Sequence, residues 1–463
     1  AEFYPAPSGG VDIAAGIGEL SVSNIGYFDM PGRDIERLPG AIGFADMRAK
    51  GKSVSLGEFG VKMHPAWTFE NGAVGYHLVR TEQEARDLWL ILSHYALGLG
   101  ASKIQNWCLD DASERVFPWG LFYPNDLVPK DVALTYRNIG LLFRLLTPKY
   151  EPPRVTVLLP DRHRLGPQSG RIHDAIWRTF ATLTSLRIRY NTLNEGALDV
   201  LPAATRVLVY PVPYCLDDAT YSRLLAFVRQ GGALYVSGDV SYGPDRTRTQ
   251  TGRLRELVGM AFGEELYPNI GYDAAAPKAS APTGSGQALG LVPFAAAAGI
   301  RFGELATGAG GPPEVLQVTQ DGEHIPVVVA RGLGKGRVFF VNDPVELRTD
   351  LADDVLRSIH AAFATYAEVD RLQIEPDVPD VHVFRVPVEG AEEVVVAVNR
   401  GEARTVRLAL GTHRVELALA RAGTGMIWLD SEGRAVAVEA QGEVQVDGRR
   451  VADLPCNAAV AAL

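Results

Sequence analysis

The stretch Lys52–Gly60, KSVSLGEFG, decides how the chain is read. Val54 and Leu56 alternate with serines as in a strand, and the strand ends in Gly57-Glu58-Phe59-Gly60. A carboxylate at the C-terminal end of a buried strand stands where a (β/α)8 barrel carries its catalytic groups. The strand holds such a group rigidly, and flanking glycines let backbone and substrate come close. Two readings are open from these residues: Glu58 as a catalytic nucleophile, or Glu58 as a strand-end partner in an ordinary salt bridge.

Working outward, Leu20–Phe28 alternates like a strand, and Arg33–Lys50 carries apolar residues at helical spacing despite Pro39-Gly40. Downstream, Thr81 with Glu84 forms a capping box that opens a strong helix, with Gly98 and Gly100 as stop signals. Ser102–Cys108 reads as the next strand, followed by a long loop to about Asp131 and a helix over Val132–Leu146. The pattern is βαβαβα with right-handed crossovers, three consecutive barrel units that end at the Pro152-Pro153 linker.

Beyond the linker, near-continuous apolar runs (RVTVLLP, RVLVYP, ALYVSGD) alternate with helices and predict a doubly wound parallel sheet. Short β segments at about 280–335, with a hairpin at Asp321-Gly322, interrupt it before GRVFFVND and a helix return to the sheet. From Val381 onward only short alternating strands remain, the pattern of a small antiparallel β-sandwich. The expected domains are 1–150, the C-terminal part of a barrel; 151–372, an α/β domain with the β insertion; and 373–463, the sandwich.

The 463 residues fit about three domains. A hydrophobic fraction of 47% with 22% charged residues is ordinary globular composition. The net charge of −10, with dispersed acidic residues, argues against a nucleic-acid partner and suits a neutral substrate. Cys108, Cys215 and Cys456 form neither a disulfide framework nor a metal pair, and all three read as buried thiols. The apolar run Leu88–Ala101 contains Ser93 and His94 and is too short to span a bilayer. No membrane association is expected, and without a signal-peptide pattern the expected localisation is cytoplasmic. No cofactor or metal is implied.

SLGEFG followed by a helix and IQNW, the long loop containing FPWGLFYPND, and the order of the three domains together resemble the C-terminal two-thirds of clan-A glycoside hydrolases. The family-42 β-galactosidases are the most similar. The resemblance implies a (β/α)8 barrel whose strands 6–8 lie here, a flavodoxin- or glutamine-amidotransferase-like middle domain that mediates oligomerisation, and a β domain. It carries the nucleophile onto Glu58 and the sugar platform onto Trp107. The proton-donating Asn-Glu pair of strand 4 has no counterpart in the three units. Asn194-Glu195 lies in the second domain and is rejected. The expectation is a second polypeptide or precursor fragment, of roughly 200 residues or more, completing the barrel.

Near the same rim, Asn106 is a candidate donor to a sugar hydroxyl, and His64 a candidate contact to sugar or nucleophile. Asp110 is a candidate substrate contact, although it and Asp111 read more simply as solvated carboxylates. Trp67, Phe117 and Trp119 either wall further subsites or pack the barrel top. GLGKGRV (332–338) is read as a hairpin turn, since it lacks the spacing of a phosphate loop. Cys215 lacks a glycine-flanked elbow, so an amidotransferase-like hydrolase is the weakest alternative. The stronger one is a non-catalytic carbohydrate-binding or scaffold subunit.

Overall fold

The computed structural model describes residues 22–28, 38–44, 46–63, 79–111, 118–124, 127–146, 148–160, 168–267, 276–305, 310–389, 393–440, 442–453 and 458–461. The first part consists of β1 (Val22–Phe28), α1 (Leu38–Phe44), β2 (Ser53–Gly60), α2 (Glu82–Gly98), β3 (Ala101–Asn106) and α3 (Asp131–Leu145). The strands lie in the order β1-β2-β3, both pairs parallel. Each strand is thus joined to its neighbour through a helix, the consecutive βα arrangement read from the sequence. Among the described residues, β1 and β3 each keep one unpaired edge.

Helix α2 begins as its sequence dictates. Thr81 Oγ1 accepts from Glu84 N at 3.2 Å, and Glu84 Oε2 accepts from Thr81 N at 2.8 Å. It ends at Gly98, and Gly100 at φ +91 supplies the left-handed backbone that turns the chain into β3. The helix between β1 and β2 is shorter than the spacing over Arg33–Lys50 predicts. It covers Leu38–Phe44, and a separate 3-10 turn occupies Arg48–Lys50.

The second part is built on β4 (Val155–Leu159), α4 (Ser169–Ser185), β5 (Tyr190–Asn194), β6 (Val207–Pro211), α5 (Asp218–Arg229), β7 (Ala233–Ser237), β8 (Gly336–Val341) and α6 (Asp353–Tyr366). The parallel strands lie in the order β5-β4-β6-β7-β8, and the four from β4 to β7 are buried along their whole length. Helices on both faces explain why these strands are apolar runs without alternation.

The β insertion expected at about 280–335 does not stand apart from the parallel sheet. Pro326–Leu333, Glu314–Thr319, Lys278–Pro282 and Phe294–Ala296 add to the β8 edge as antiparallel strands, giving one nine-stranded mixed sheet. Short connections can only join antiparallel neighbours. The turn at Gly334-Lys335, with Gly334 at φ +63, is the hairpin read from GLGKGRV.

The third part packs two five-stranded antiparallel sheets face to face around an apolar core. The C-terminal half of α2 is buried against it. His94 Nε2 lies 2.7 Å from Glu439 of the sandwich, and His94 Nδ1 lies 2.7 Å from the Leu90 carbonyl. Both ring nitrogens face acceptors, so only the imidazolium satisfies both. Burial disfavours that charge, but the Glu439 carboxylate outweighs it and holds His94 above its ordinary range. Such a raised group stabilises the fold fully below its unfolded pKa, near 6.5, and loses that contribution as pH rises through the folded value. The melting-temperature advantage of wild type over His94→Gln is therefore expected to be largest below pH 6 and to shrink on titration upward from pH 6.5.

Candidate active site

The C-terminal end of β2 carries one residue more than either neighbour. Leu56 pairs with Ile25 and Ile104, whereas Glu58 pairs with Gly26 and Phe59 with Asn106, so the extra residue falls at Gly57-Glu58. Such a bulge re-aims the side chains beyond it. Val54, Leu56 and Phe59 all enter the apolar cluster under α2 and α3, the helix side of the sheet. Phe59 meets Trp89 of α2 edge-on, with ring centroids 5.0 Å apart. Without the bulge, Glu58 would share that face with Leu56. With it, the half-buried Glu58 projects from the opposite face, at the strand's C-terminal end.

β3 ends beside it. The Trp107 amide donates to the Phe59 carbonyl at 2.7 Å, the Trp107–Cys108 peptide is cis, and Trp107 is 40% exposed. Gly60 is required here, because a Cβ would sit 2.5 Å from the Trp107 carbonyl oxygen. The chain after Trp107 runs against residues 118–122, with Cys108 N donating to Trp119 O at 3.3 Å and Leu121 N to Leu109 O at 2.9 Å.

Several rim residues take different places from those expected. Asn106 faces the helix layer: its Oδ1 accepts from Trp89 Nε1 at 2.9 Å, and its Nδ2 donates to the carbonyls of Cys108 (2.7 Å) and Trp119 (3.2 Å). It fixes the turn that presents Trp107, and its amide is not offered to a sugar. Trp119 is 1% exposed, so it packs beneath the rim instead of walling a subsite. Asp110 is exposed, as a solvated carboxylate should be. Asp111 is not: it is 2% exposed, accepts from Gly120 N at 2.9 Å, and meets the buried Lys130 Nζ at 2.7 Å. His64, Trp67 and Phe117 lie outside the described residues.

Cys108 is half-buried, unlike the fully buried thiol expected, whereas Cys215 is buried and Cys456 lies outside the described residues. Burial, together with the carboxylates of Asp110, Asp111 and Glu58, pushes the Cys108 thiol up to about 11. The thiol therefore stays protonated at neutral pH.

Other buried polar groups are committed away from this rim. Glu195 is buried and accepts a hydrogen bond from Tyr210 inside the second part. Ser237, at the end of β7, is committed to the buried Glu346, which also accepts from Tyr235 and contacts His360. Among the described residues, no group of three or more His, Cys, Asp or Glu side chains is arranged to hold a metal ion.

Compared by structure, the chain superposes on a cold-adapted β-galactosidase from Rahnella sp. R3 with a TM-score of 0.68 at 18% identity, over 94% of this chain and 63% of that one. A β-galactosidase from the haloarchaeon Halorubrum lacusprofundi gives 0.64 at 15% identity, over 93% and 63%. A GH42 β-galactosidase from G. stearothermophilus gives 0.62 at 14%, over 90% and 60%. The chain has the fold of the family-42 β-galactosidases. It spans about three-fifths of the length of these enzymes. By sequence, no family profile and no curated protein matches it. The family-42 fold therefore rests on the arrangement of elements, not on shared residues.

Proposed function

We propose that the chain carries the nucleophile-bearing part of a retaining glycoside hydrolase of β-galactosidase type, with Glu58 as nucleophile. The observation that carries this reading is the bulge, which turns a carboxylate out of the helix-side core at the C-terminal end of a parallel strand in a glycosidase-like fold. Trp107 offers an exposed aromatic face beside it, suited to the C–H groups of a neutral sugar. The exposed Asp110 is a candidate contact to a hydroxyl, and Asn106 acts as a positioning residue. His64, which lies outside the described residues, is proposed as a contact to sugar or nucleophile.

In this reading Glu58 attacks the anomeric carbon, and a carboxylic acid about 5–5.5 Å away protonates the departing oxygen. Water then displaces the enzyme carboxylate with the same group acting as base. The charge on Glu58 raises the pKa of the acid and keeps it protonated for the first step. That acid is supplied from outside residues 1–463, by a segment or polypeptide that completes the barrel along the edges of β1 and β3 that have no partner among the described residues. The middle α/β part is structural, and the working protein is an oligomer.

Product stereochemistry tests the mechanism. With an aryl β-galactoside, proton NMR of the assembled enzyme should show β-galactose first, followed by slow mutarotation. Initial α-galactose would exclude retention. Absence of turnover would favour a carbohydrate-binding or scaffold subunit.

A further inference from the structure

A cavity of about 220 Å³ lies where the three parts meet, away from the Glu58 rim. Its walls come from the end of α2, the α4–β5 connection, and the sandwich strand Val381–Arg385. We propose that this cavity is a binding site for a small oxyanion of the phosphate class, free or as the phosphoryl group of a sugar phosphate.

The donors are in place and short of acceptors. Arg48 grips Asp46 through Nε and Nη2, both at 2.8 Å, and its Nη1 has no protein acceptor among the described residues. Arg189 makes one hydrogen bond, from Nη2 to the Glu151 carbonyl, and no ion pair among the described residues. Thr184 and Tyr190 line the same cavity and are 2% and 8% exposed; their hydroxyls lie close enough to interact with each other, and neither has a well-formed hydrogen bond to any other group among the described residues. Buried hydroxyls left this way are uncommon and call for a ligand or water. Burial raises the Tyr190 phenol, so it remains a donor at neutral pH.

The charge balance points to an anion. Arg187 lines the floor fully committed, to Asp377 and to four main-chain carbonyls, and contributes charge alone. Partial burial and the adjacent Arg48 charge both work against the Arg189 guanidinium, whose residue is otherwise exposed, and a bound anion relieves the repulsion. Among the described residues, Asp370 is the one carboxylate lining the cavity. It is exposed and unpaired among the described residues, so it opposes the guanidinium groups only weakly. A tetrahedral oxyanion has enough acceptor lone pairs for both guanidinium groups and both hydroxyls.

The test is thermal stability of the assembled protein titrated with sodium phosphate, against sodium chloride at equal ionic strength. Wild type should be stabilised by phosphate beyond chloride. Arg189→Gln, at an exposed position, and Thr184→Val, which keeps the buried volume, should each raise the half-saturating phosphate concentration about tenfold or more. Galactose 6-phosphate run in parallel identifies the source. A lower midpoint than phosphate marks a sugar phosphate, and a higher one marks the free anion. No stabilisation beyond chloride, or equal responses in wild type and both variants, overturns the site.

Discussion

In the assembled enzyme, Glu58→Gln is expected to lower turnover of 4-nitrophenyl β-galactoside by roughly 10³-fold or more. The amide has the shape of the acid but supplies no nucleophilic oxygen, and the site is only half-buried, so the folded structure should survive the change. Unfolding temperature and affinity for galactose should stay close to wild type. A further readout separates a nucleophile from a merely structural acid. In Glu58→Ala, azide can occupy the space the carboxylate vacates, attack the anomeric carbon from the same side, and restore turnover as α-galactosyl azide. A structural Glu58 would give no azide rescue, and a variant retaining wild-type turnover would remove Glu58 from the chemistry.

Lys130→Met should cost about 3–5 kcal/mol of stability, because it leaves the Asp111 carboxylate buried without its cation. The pair is less a source of stability than a commitment: each charge is tolerable only while the other is present. Asp111 also holds the Gly120 amide, so the loss should loosen residues 118–122 that pack against the Trp107 turn. Denaturant unfolding measures the first effect. The double variant Asp111→Leu, Lys130→Met should recover most of the loss, since two apolar side chains leave no orphaned charge. Equal destabilisation in single and double variants would show that the pair's charges do not govern this turn.

What the sequence disclosed follows from how local each signal is. KSVSLGEFG and the Thr81–Glu84 capping box are complete within a few residues, so the strand, the helix and the position of Glu58 were legible. The bulge was not, because register is defined only against β1 and β3. The contacts of Asn106 escape the sequence for a related reason. At the end of a strand its facing depends on that register, which turns its amide to Trp89. Asp111 sits in an acidic loop segment, and its partner Lys130 lies 19 residues on, across a stretch with no periodic pattern to bring them together. The His94–Glu439 contact spans 345 residues, and the antiparallel extension of the central sheet depends on pairing choices among short β segments. Apolar runs reveal that a strand is buried, not which neighbours it takes.

The central step is covalent attachment of sugar to Glu58, and mechanism-based labelling reads that directly. A 2-deoxy-2-fluoro-β-galactoside carrying 2,4-dinitrophenolate as leaving group needs no proton donor for the first step, and the fluorine slows release of the glycosyl-enzyme. Peptide mass mapping after incubation should find one fluorogalactosyl group, carried on Glu58. Attachment at another carboxylate, or none under conditions where the unmodified substrate is hydrolysed, would contradict it.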